Sequence, residues 1–178
     1  MTSTATPIAS TAIPSMKDAF LSAYDREHAI TMKVLRAYPA DKLELRPAEK
    51  CKSAKELAWV FALERGLAQD VFRNALASGM PAGSMPSAPD TWDGVLGAIE
   101  KGHEDFGNLV RSMADAELSE SVKFFTAPKT MGDVRRIDFA WFLLHDEIHH
   151  RGQFSIYARM AGGKLPSIYG PTADEPWM

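Results

Sequence analysis

Four long segments with helical periodicity, divided by residues that break helices, constrain the fold of this 178-residue chain more than any other feature. In each segment, apolar residues recur at three- and four-residue spacing, which is typical of helices with one buried face. The predicted helices cover residues 15–37, 53–78, 91–113 and 134–160. Pro39, the Pro/Gly-rich run 79–89 and Gly162 separate or end them. This organisation predicts an all-α protein, a four-helix bundle with one long crossover.

The crossover is residues 117–134, where helical periodicity is absent. The run SVKFFTAP within it is short and rich in β-forming side chains, so we expect a strand or an irregular connection there. The last fifteen residues contain three prolines but also Ile168, Tyr169 and Trp177, and we expect them to pack against the bundle. The domain prediction is a disordered tail over residues 1–14 and a single bundle domain over residues 15–178.

Composition excludes several classes of partner. The formal net charge is −3 and the pI is about 5.9, which argues against a protein that holds nucleic acid on a basic surface. No apolar run approaches the roughly 18 residues that a membrane span requires. Cys51 is the only cysteine and cannot form an internal disulfide, which suits a reducing compartment. We therefore expect a cytoplasmic protein with a small-molecule substrate or ligand and neither a nucleic-acid nor a membrane partner.

The fourth predicted helix carries polar side chains on a face that is otherwise aromatic and aliphatic. At 100° per residue, the residues placed on this face are Phe139, Phe142, Leu143, Asp146, His150, Gln153, Tyr157 and Met160. Asp146 and His150 are one helical turn apart, so their side chains can chelate one metal ion. They can equally form a simple hydrogen-bonded pair in the core. The sequence leaves both interpretations open.

Other polar residues interrupt apolar faces and extend the set of candidate ligands. Glu64 lies in the apolar stripe of helix two, where an unpaired carboxylate is costly to bury. His28 and His103 hold similar positions on helices one and three, and each is equally consistent with a structural core histidine. His145 and His149 form a second pair at i, i+4 spacing on helix four. Metal sites in bundles are built from such residues on facing helices.

Helix four also has a second apolar stripe on its opposite side, made of Ile137, Trp141, Leu144 and Ile148. A helix that is apolar on two faces is either central in its protein or covered on its outer side. Because no helix of a four-helix bundle is central, this stripe predicts a homodimer. The alternative is that the C-terminal segment covers it.

Three segments of the chain resemble the DinB/YfiT-like four-helix-bundle superfamily. The strongest match is HDEIHHRGQFSIYARMAGGKLPSIYGPTADEP, residues 145–176, which is similar to the last helix and tail of that family. YPADKLELRP at 38–47 and SAKELAW at 53–59 resemble the end of its first helix and the start of its second. The resemblance spans about residues 17–176 and implies the same bundle fold.

The resemblance also implies a divalent metal, nickel or zinc, held by three histidines. The matching positions here are Val60, Asp146 and His150, of which only His150 is a histidine. Glu64, one turn beyond Val60, can replace the missing ligand. Glu64, Asp146 and His150 would then resemble a facial triad, which suits iron, manganese or zinc. The alternatives are the pair His145 and His149 in a shifted register, or a contribution from His28 or His103.

The activities that the resemblance implies use a metal to activate a nucleophile, as in thiol transfer. We therefore expect a metal-dependent enzyme that transfers a thiol to a small molecule or hydrolyses one. Gln153 and Tyr157 are candidates for orienting its substrate. The alternative function is a metal-free, non-catalytic dimeric bundle that binds a small ligand or a protein partner. It follows from Val60, which removes one ligand outright.

Overall fold

A computed structural model describes residues 13–79 and 85–178, so the predicted N-terminal tail lies outside the described residues except for its last two positions. The elements in chain order are α1 (Met16–Arg36), α2 (Ala54–Phe72), α3 (Trp92–Ser112), α4 (Asp115–Ser119), β1 (Ser121–Ala127), β2 (Thr130–Arg135) and α5 (Arg136–Met160). The long helices α1, α2, α3 and α5 form the four-helix bundle that the sequence predicts.

The helix boundaries follow from local capping chemistry. Ser53 precedes α2 and forms a capping box with Glu56, in which each side chain bonds to the other residue's backbone N–H. Thr91 caps α3 by accepting a hydrogen bond from the Gly94 backbone. The second helix ends at Phe72, six residues before the predicted end. Asn74 adopts a left-handed conformation with φ of 57°, which ends the helix before a short 3-10 turn.

The helices are not arranged in order around the bundle. Both α1 and α2 pack against α3 and α5, so α1 lies diagonally opposite α2. The connections 37–53 and 113–135 therefore each join helices that are not neighbours. The sequence predicts only the second of these as a crossover. The arrangement places α2 and α5 side by side, although some sixty residues separate them in the chain.

The crossover from α3 to α5 contains α4 and a two-stranded antiparallel hairpin. A strand in this segment is confirmed. Val122 of β1 is buried in the bundle core, and the ring of Phe124 lies 4.6 Å from that of Phe139 near the start of α5. The Asn74 side chain accepts a hydrogen bond from the Lys123 backbone, which ties the hairpin to the end of α2.

The bundle interior consists of two apolar clusters with a polar layer between them. One cluster, which includes Phe20, Phe72 and Phe106, lies towards the hairpin. The other, which includes Phe61 and Phe154, lies towards the C-terminal tail. Four charged side chains in the layer are at most 3% exposed as residues: Glu27, Arg65, Glu147 and Arg151. Burying them requires partners, and each has one, as described below.

The predicted burial of the fourth helix, α5, is wrong in part. Phe142 is 50% exposed and Met160 is 53% exposed, although the helical periodicity predicts both on the core face. The core face instead includes Ile137 and Leu144, each 2% exposed, while Trp141 packs against the same cluster. The physical reason is that Glu147 and Arg151 of α5 are buried in ion pairs with residues of other helices. The charged positions of this helix therefore do not identify its solvent-exposed side.

The face proposed for a homodimer is therefore occupied within the chain. Ile137 and Leu144 belong to the first apolar cluster, and the partly buried Trp141 and Ile148 pack against it. The homodimer itself stays a prediction. The C-terminal segment does pack against the body, as predicted, but at the other cluster through Leu165 and Ile168. Within residues 13–79 and 85–178, no helix is long and apolar enough to span a membrane.

Candidate metal centre

Three potential ligands from two helices converge at the interface of α2 and α5. His150 Nε2 lies 3.3 Å from Glu64 Oε1 and 3.7 Å from Asp146 Oδ1. One ligand atom from each of the three residues lies within 4.8 Å of those of the other two. Asp146 and His150 meet because they are one turn apart on α5, and Glu64 reaches them because α2 is the neighbouring helix.

The cluster is partly shielded from solvent. The side chain of Glu64 is 15% exposed and that of His150 is 19% exposed, whereas Asp146 is more open at 34%. Burial raises the pKa of the Glu64 carboxyl above its ordinary value, although the contact with His150 opposes this effect. The Glu64 carboxylate, by accepting a hydrogen bond from His150, raises the pKa of the His150 imidazole. The two carboxylates and the imidazole thus meet in a setting that favours added positive charge.

The donor set fits a divalent cation. Glu64 Oε2 is buried and has no hydrogen-bond partner among the described residues. Within that same part of the chain, no lysine or arginine forms a salt bridge with Glu64 or Asp146. Two carboxylate oxygens and one imidazole nitrogen form a mixed oxygen and nitrogen donor set, which suits iron, manganese or zinc and leaves coordination positions open. The position corresponding to a histidine in the resembling family, Val60, is half-buried one turn before Glu64.

The other histidines lie outside this cluster. The rings of His28 and His103 stack on each other with their centroids 3.7 Å apart. His28 Nδ1 lies 3.3 Å from Arg65, and His103 Nε2 lies 3.1 Å from Asp25 Oδ1. Each contact occupies one of the two ring nitrogens, and the buried Nδ1 of His103 has no hydrogen-bond partner among the described residues. His145 is exposed beside Trp141.

The two candidate orienting residues have protein partners. The Gln153 amide lies 3.1 Å from His150 Nδ1 through its oxygen and 2.9 Å from His149 Nε2 through its nitrogen. The Tyr157 hydroxyl donates to the carbonyl of Lys52 at 2.9 Å. Both residues also line an open groove of about 420 Å³ whose other walls are Pro47, Lys50, Cys51, Lys52, Leu57 and Ile156. The groove is therefore next to the histidines, because Gln153 lines it and contacts both His149 and His150.

Directly behind the cluster is a buried ion pair that sequence reasoning missed. Arg65 Nη2 donates to Glu147 Oε2 at 2.8 Å, and their side chains are 2% and 4% exposed. Arg65 also donates to the Phe61 carbonyl at 2.8 Å. Gly102 on α3 leaves room for the Arg65 stem, since a Cβ at that position would lie 3.1 Å from it.

A second buried pair joins α5 to α1. Arg151 Nη2 donates to Glu27 Oε2 at 2.8 Å, and the Tyr169 hydroxyl from the C-terminal segment bonds to both. Arg151 therefore forms a salt bridge to a neighbouring helix of the bundle.

Both ion pairs contain immediate neighbours of the three converging residues. Arg65 follows Glu64, Glu147 follows Asp146, and Arg151 follows His150. The two ion pairs therefore fix the backbone segments that carry Glu64, Asp146 and His150. The sequence contained one signal for the buried ion pairs. Arg65, Glu147 and Arg151 each directly follow a polar residue that interrupts an apolar stripe of a helix.

Comparison with known proteins identifies related chains. A sequence model of the DinB family matches residues 14–177. The uncharacterized protein YrdA of Bacillus subtilis strain 168 is 24% identical over 159 residues, which is 89% of this chain and 90% of that protein.

Solved structures of other proteins share the fold. A DinB-like protein from Bacillus cereus ATCC 10987 superposes with a TM-score of 0.67 at 21% identity, covering 84% of this chain and 95% of that one. YfiT from Bacillus subtilis, described as a probable metal-dependent hydrolase with an unusual four-helix bundle topology, has a TM-score of 0.56 at 13% identity. That comparison covers 89% of this chain and 94% of YfiT.

Proposed function

The chain belongs to the DinB family, and on that premise we propose that it is a metal-dependent hydrolase of small molecules. Its divalent cation would be held by Glu64, Asp146 and His150. The observation that carries the proposal is the convergence of one atom from each of these residues within 4.8 Å. Without a bound cation, burying two carboxylates beside one imidazole costs free energy of desolvation.

Comparison supports the same class of reaction. YfiT, which shares the fold at a TM-score of 0.56, is described as a probable metal-dependent hydrolase. Here two of the three candidate ligands are carboxylates, so the proposed site is richer in oxygen than a three-histidine site. We expect this donor set to bind iron, manganese or zinc in preference to nickel.

The roles of the residues follow from their positions. Glu64 and Asp146 would supply the negative charge that neutralises a divalent cation, and His150 would supply the nitrogen. When bound, such an ion supplies Lewis acidity, which makes a nucleophile available at neutral pH. The groove beside Gln153 and Tyr157 is the place for a small substrate close to this site.

The first experiment measures metal binding directly. Tag-free protein is analysed for metal as purified, and again after treatment with chelator and reloading with zinc, manganese, iron or nickel. We expect about one equivalent in the wild type. Loss of a ligand in the Glu64→Gln, Asp146→Asn or His150→Ala variant should weaken binding at least tenfold.

His145→Ala is the matched control, because it removes an exposed histidine from the same helix without touching the cluster. It should bind metal as the wild type does. A wild type that binds none of the four metals would contradict the proposal and favour the metal-free ligand-binding bundle.

Hydrolysis is tested next with a panel of small ester, amide and lactone substrates. The reloaded wild type should turn over at least one of them, and chelator should abolish that activity. Activity that persists in chelator or in the His150→Ala variant would show that hydrolysis does not depend on this site.

A further inference from the structure

Gln153 contacts both adjacent histidines of α5 through the two ends of one amide. Its Oε1 lies 3.1 Å from His150 Nδ1, and its Nε2 lies 2.9 Å from His149 Nε2. An amide oxygen only accepts and an amide nitrogen only donates. His150 must therefore carry its proton on Nδ1 to donate to Gln153, whereas His149 accepts at its Nε2.

The two ring nitrogens of His150 consequently face different partners. Nδ1 faces Gln153, and Nε2 faces Glu64 Oε1 at 3.3 Å and Asp146 Oδ1 at 3.7 Å. With Nδ1 committed to Gln153, Nε2 is the nitrogen that donates to the Glu64 carboxylate in the metal-free protein and that can bind a cation when the cation displaces its proton. The carboxylates stand on that same side of the ring.

We propose that Gln153 is the positioning residue of the metal centre: it selects the His150 tautomer that presents Nε2 towards Glu64 and Asp146. This inference rests on the proposed metal site but concerns a residue that is not itself a ligand. It adds a second role to the expectation that Gln153 orients substrate, because the two contacts use one donor and one acceptor of the amide. Partners of this kind orient the ligating ring and increase its basicity.

The chemistry of the amide separates its two contacts. A Gln153→Glu variant keeps an oxygen that accepts from His150 Nδ1 but loses the N–H that donates to His149. A Gln153→Leu variant loses both. If acceptance from His150 is what matters, the glutamate variant should bind metal as well as the wild type, and the leucine variant should not.

The experiment uses zinc as the probe. Zinc affinity is measured by competition with a chromophoric chelator for the wild type and both Gln153 variants. We expect the Gln153→Leu variant to bind zinc about 10- to 100-fold more weakly, and the Gln153→Glu variant to bind at least as tightly as the wild type. Because Gln153 is exposed, all three proteins should have the same melting temperature without metal.

Two controls isolate the hydrogen bond. Gln69→Leu makes the same exchange on α2, where the amide oxygen accepts a hydrogen bond from Arg73, and should leave zinc affinity unchanged. Gln153→Leu combined with Ile156→Glu adds a carboxylate at a position that is 58% exposed, without restoring the bond to His150. It should not recover affinity, which excludes a general effect of negative charge.

Long-range ¹H–¹⁵N spectra of the five histidines report the tautomer itself. In the zinc-loaded wild type, His150 should show a protonated Nδ1 and a zinc-bound Nε2. Zinc affinity unaltered by Gln153→Leu, or an equal loss in Gln153→Glu, would overturn the role of Gln153 while the metal site stands.

Failure of the metal site itself has a different signature. A wild type that does not bind zinc, but whose His150 resonances still move in the metal-free Gln153→Leu variant, would overturn the proposed function and the positioning role. It would leave only the hydrogen bond between Gln153 and His150.

Discussion

Removing one partner of the buried Arg65–Glu147 pair should destabilise the bundle more than any surface change. In a Glu147→Leu variant, Arg65 keeps its bonds to the Phe61 carbonyl and to His28 but has no carboxylate beside it. Its side chain is 2% exposed, so water cannot replace the lost partner without opening the interface of α2 and α5. An unpaired buried charge of this kind costs about 3–5 kcal/mol.

The two neutral acceptors that remain on Arg65 place the expected cost near the lower end of that range, about 3 kcal/mol. With a urea m-value on the order of 2 kcal/mol/M, the unfolding midpoint should fall by roughly 1.5 M. Replacing both partners, as in Arg65→Met with Glu147→Leu, removes the charge as well as its partner. That double variant should recover most of the loss, because a buried ion pair contributes little net stability over apolar residues of similar size.

The assay is urea unfolding followed by far-UV circular dichroism, in the presence of chelator. The chelator is necessary because Glu64 and Asp146 are sequence neighbours of the pair, and bound metal would add its own stabilisation. Asp105→Ala, which breaks an exposed i, i+4 pair with Lys101, is the control and should leave the midpoint unchanged. A single variant that loses less than about 1 kcal/mol, or a double variant no more stable than the single, would refute this reasoning.

Three further predictions concern the rest of the molecule. Burial lowers the pKa of both His28 and His103 to about 3, so between about pH 6.5 and 3 the unfolded chain binds more protons than the folded protein. The urea midpoint should therefore fall as the pH is lowered through that window, and it should fall less steeply in the His103→Phe variant. Tyr169→Phe removes a hydroxyl that bonds to Glu27 and should cost about 1–2 kcal/mol in the same assay, whereas an unchanged midpoint would mean that the C-terminal segment contributes no stability there. Ser53→Ala removes a capping box and should lower stability by about 1 kcal/mol, with Ser53→Asp restoring most of it.

The periodicity of the chain was sufficient to predict the four long helices and most of their ends. Helix formation depends on local spacing, capping and breakers, and these are properties of neighbouring residues. Ser53 with Glu56 marked the start of α2 correctly. The predicted end of α2 was too late because Asn74 takes a left-handed conformation. Asparagine can adopt that conformation but does not require it, so the residue type alone does not mark the helix end.

The candidate site could be predicted only as a set of alternatives. A resemblance indicated His150 and the positions around it, and the one-turn spacing of Asp146 followed from the helix. That Glu64 belongs with them depends on α2 lying beside α5, and no local pattern specifies which helices of a bundle are neighbours. The diagonal connections 37–53 and 113–135 decide that arrangement.

Side-chain pairing within the core was beyond the sequence altogether. Glu27, Arg65, Glu147 and Arg151 each look like solvent-exposed residues when considered alone, and each is buried only because a partner from another helix neutralises it. That error placed Phe142 and Met160 in the core and left the second apolar stripe of α5 without a partner inside the chain, whereas the structure packs that stripe against the first apolar cluster. The sequence by itself determined where helices form, because those interactions span a few residues. The tertiary structure decided which charges are buried and which ligands meet, because those interactions join residues tens of positions apart.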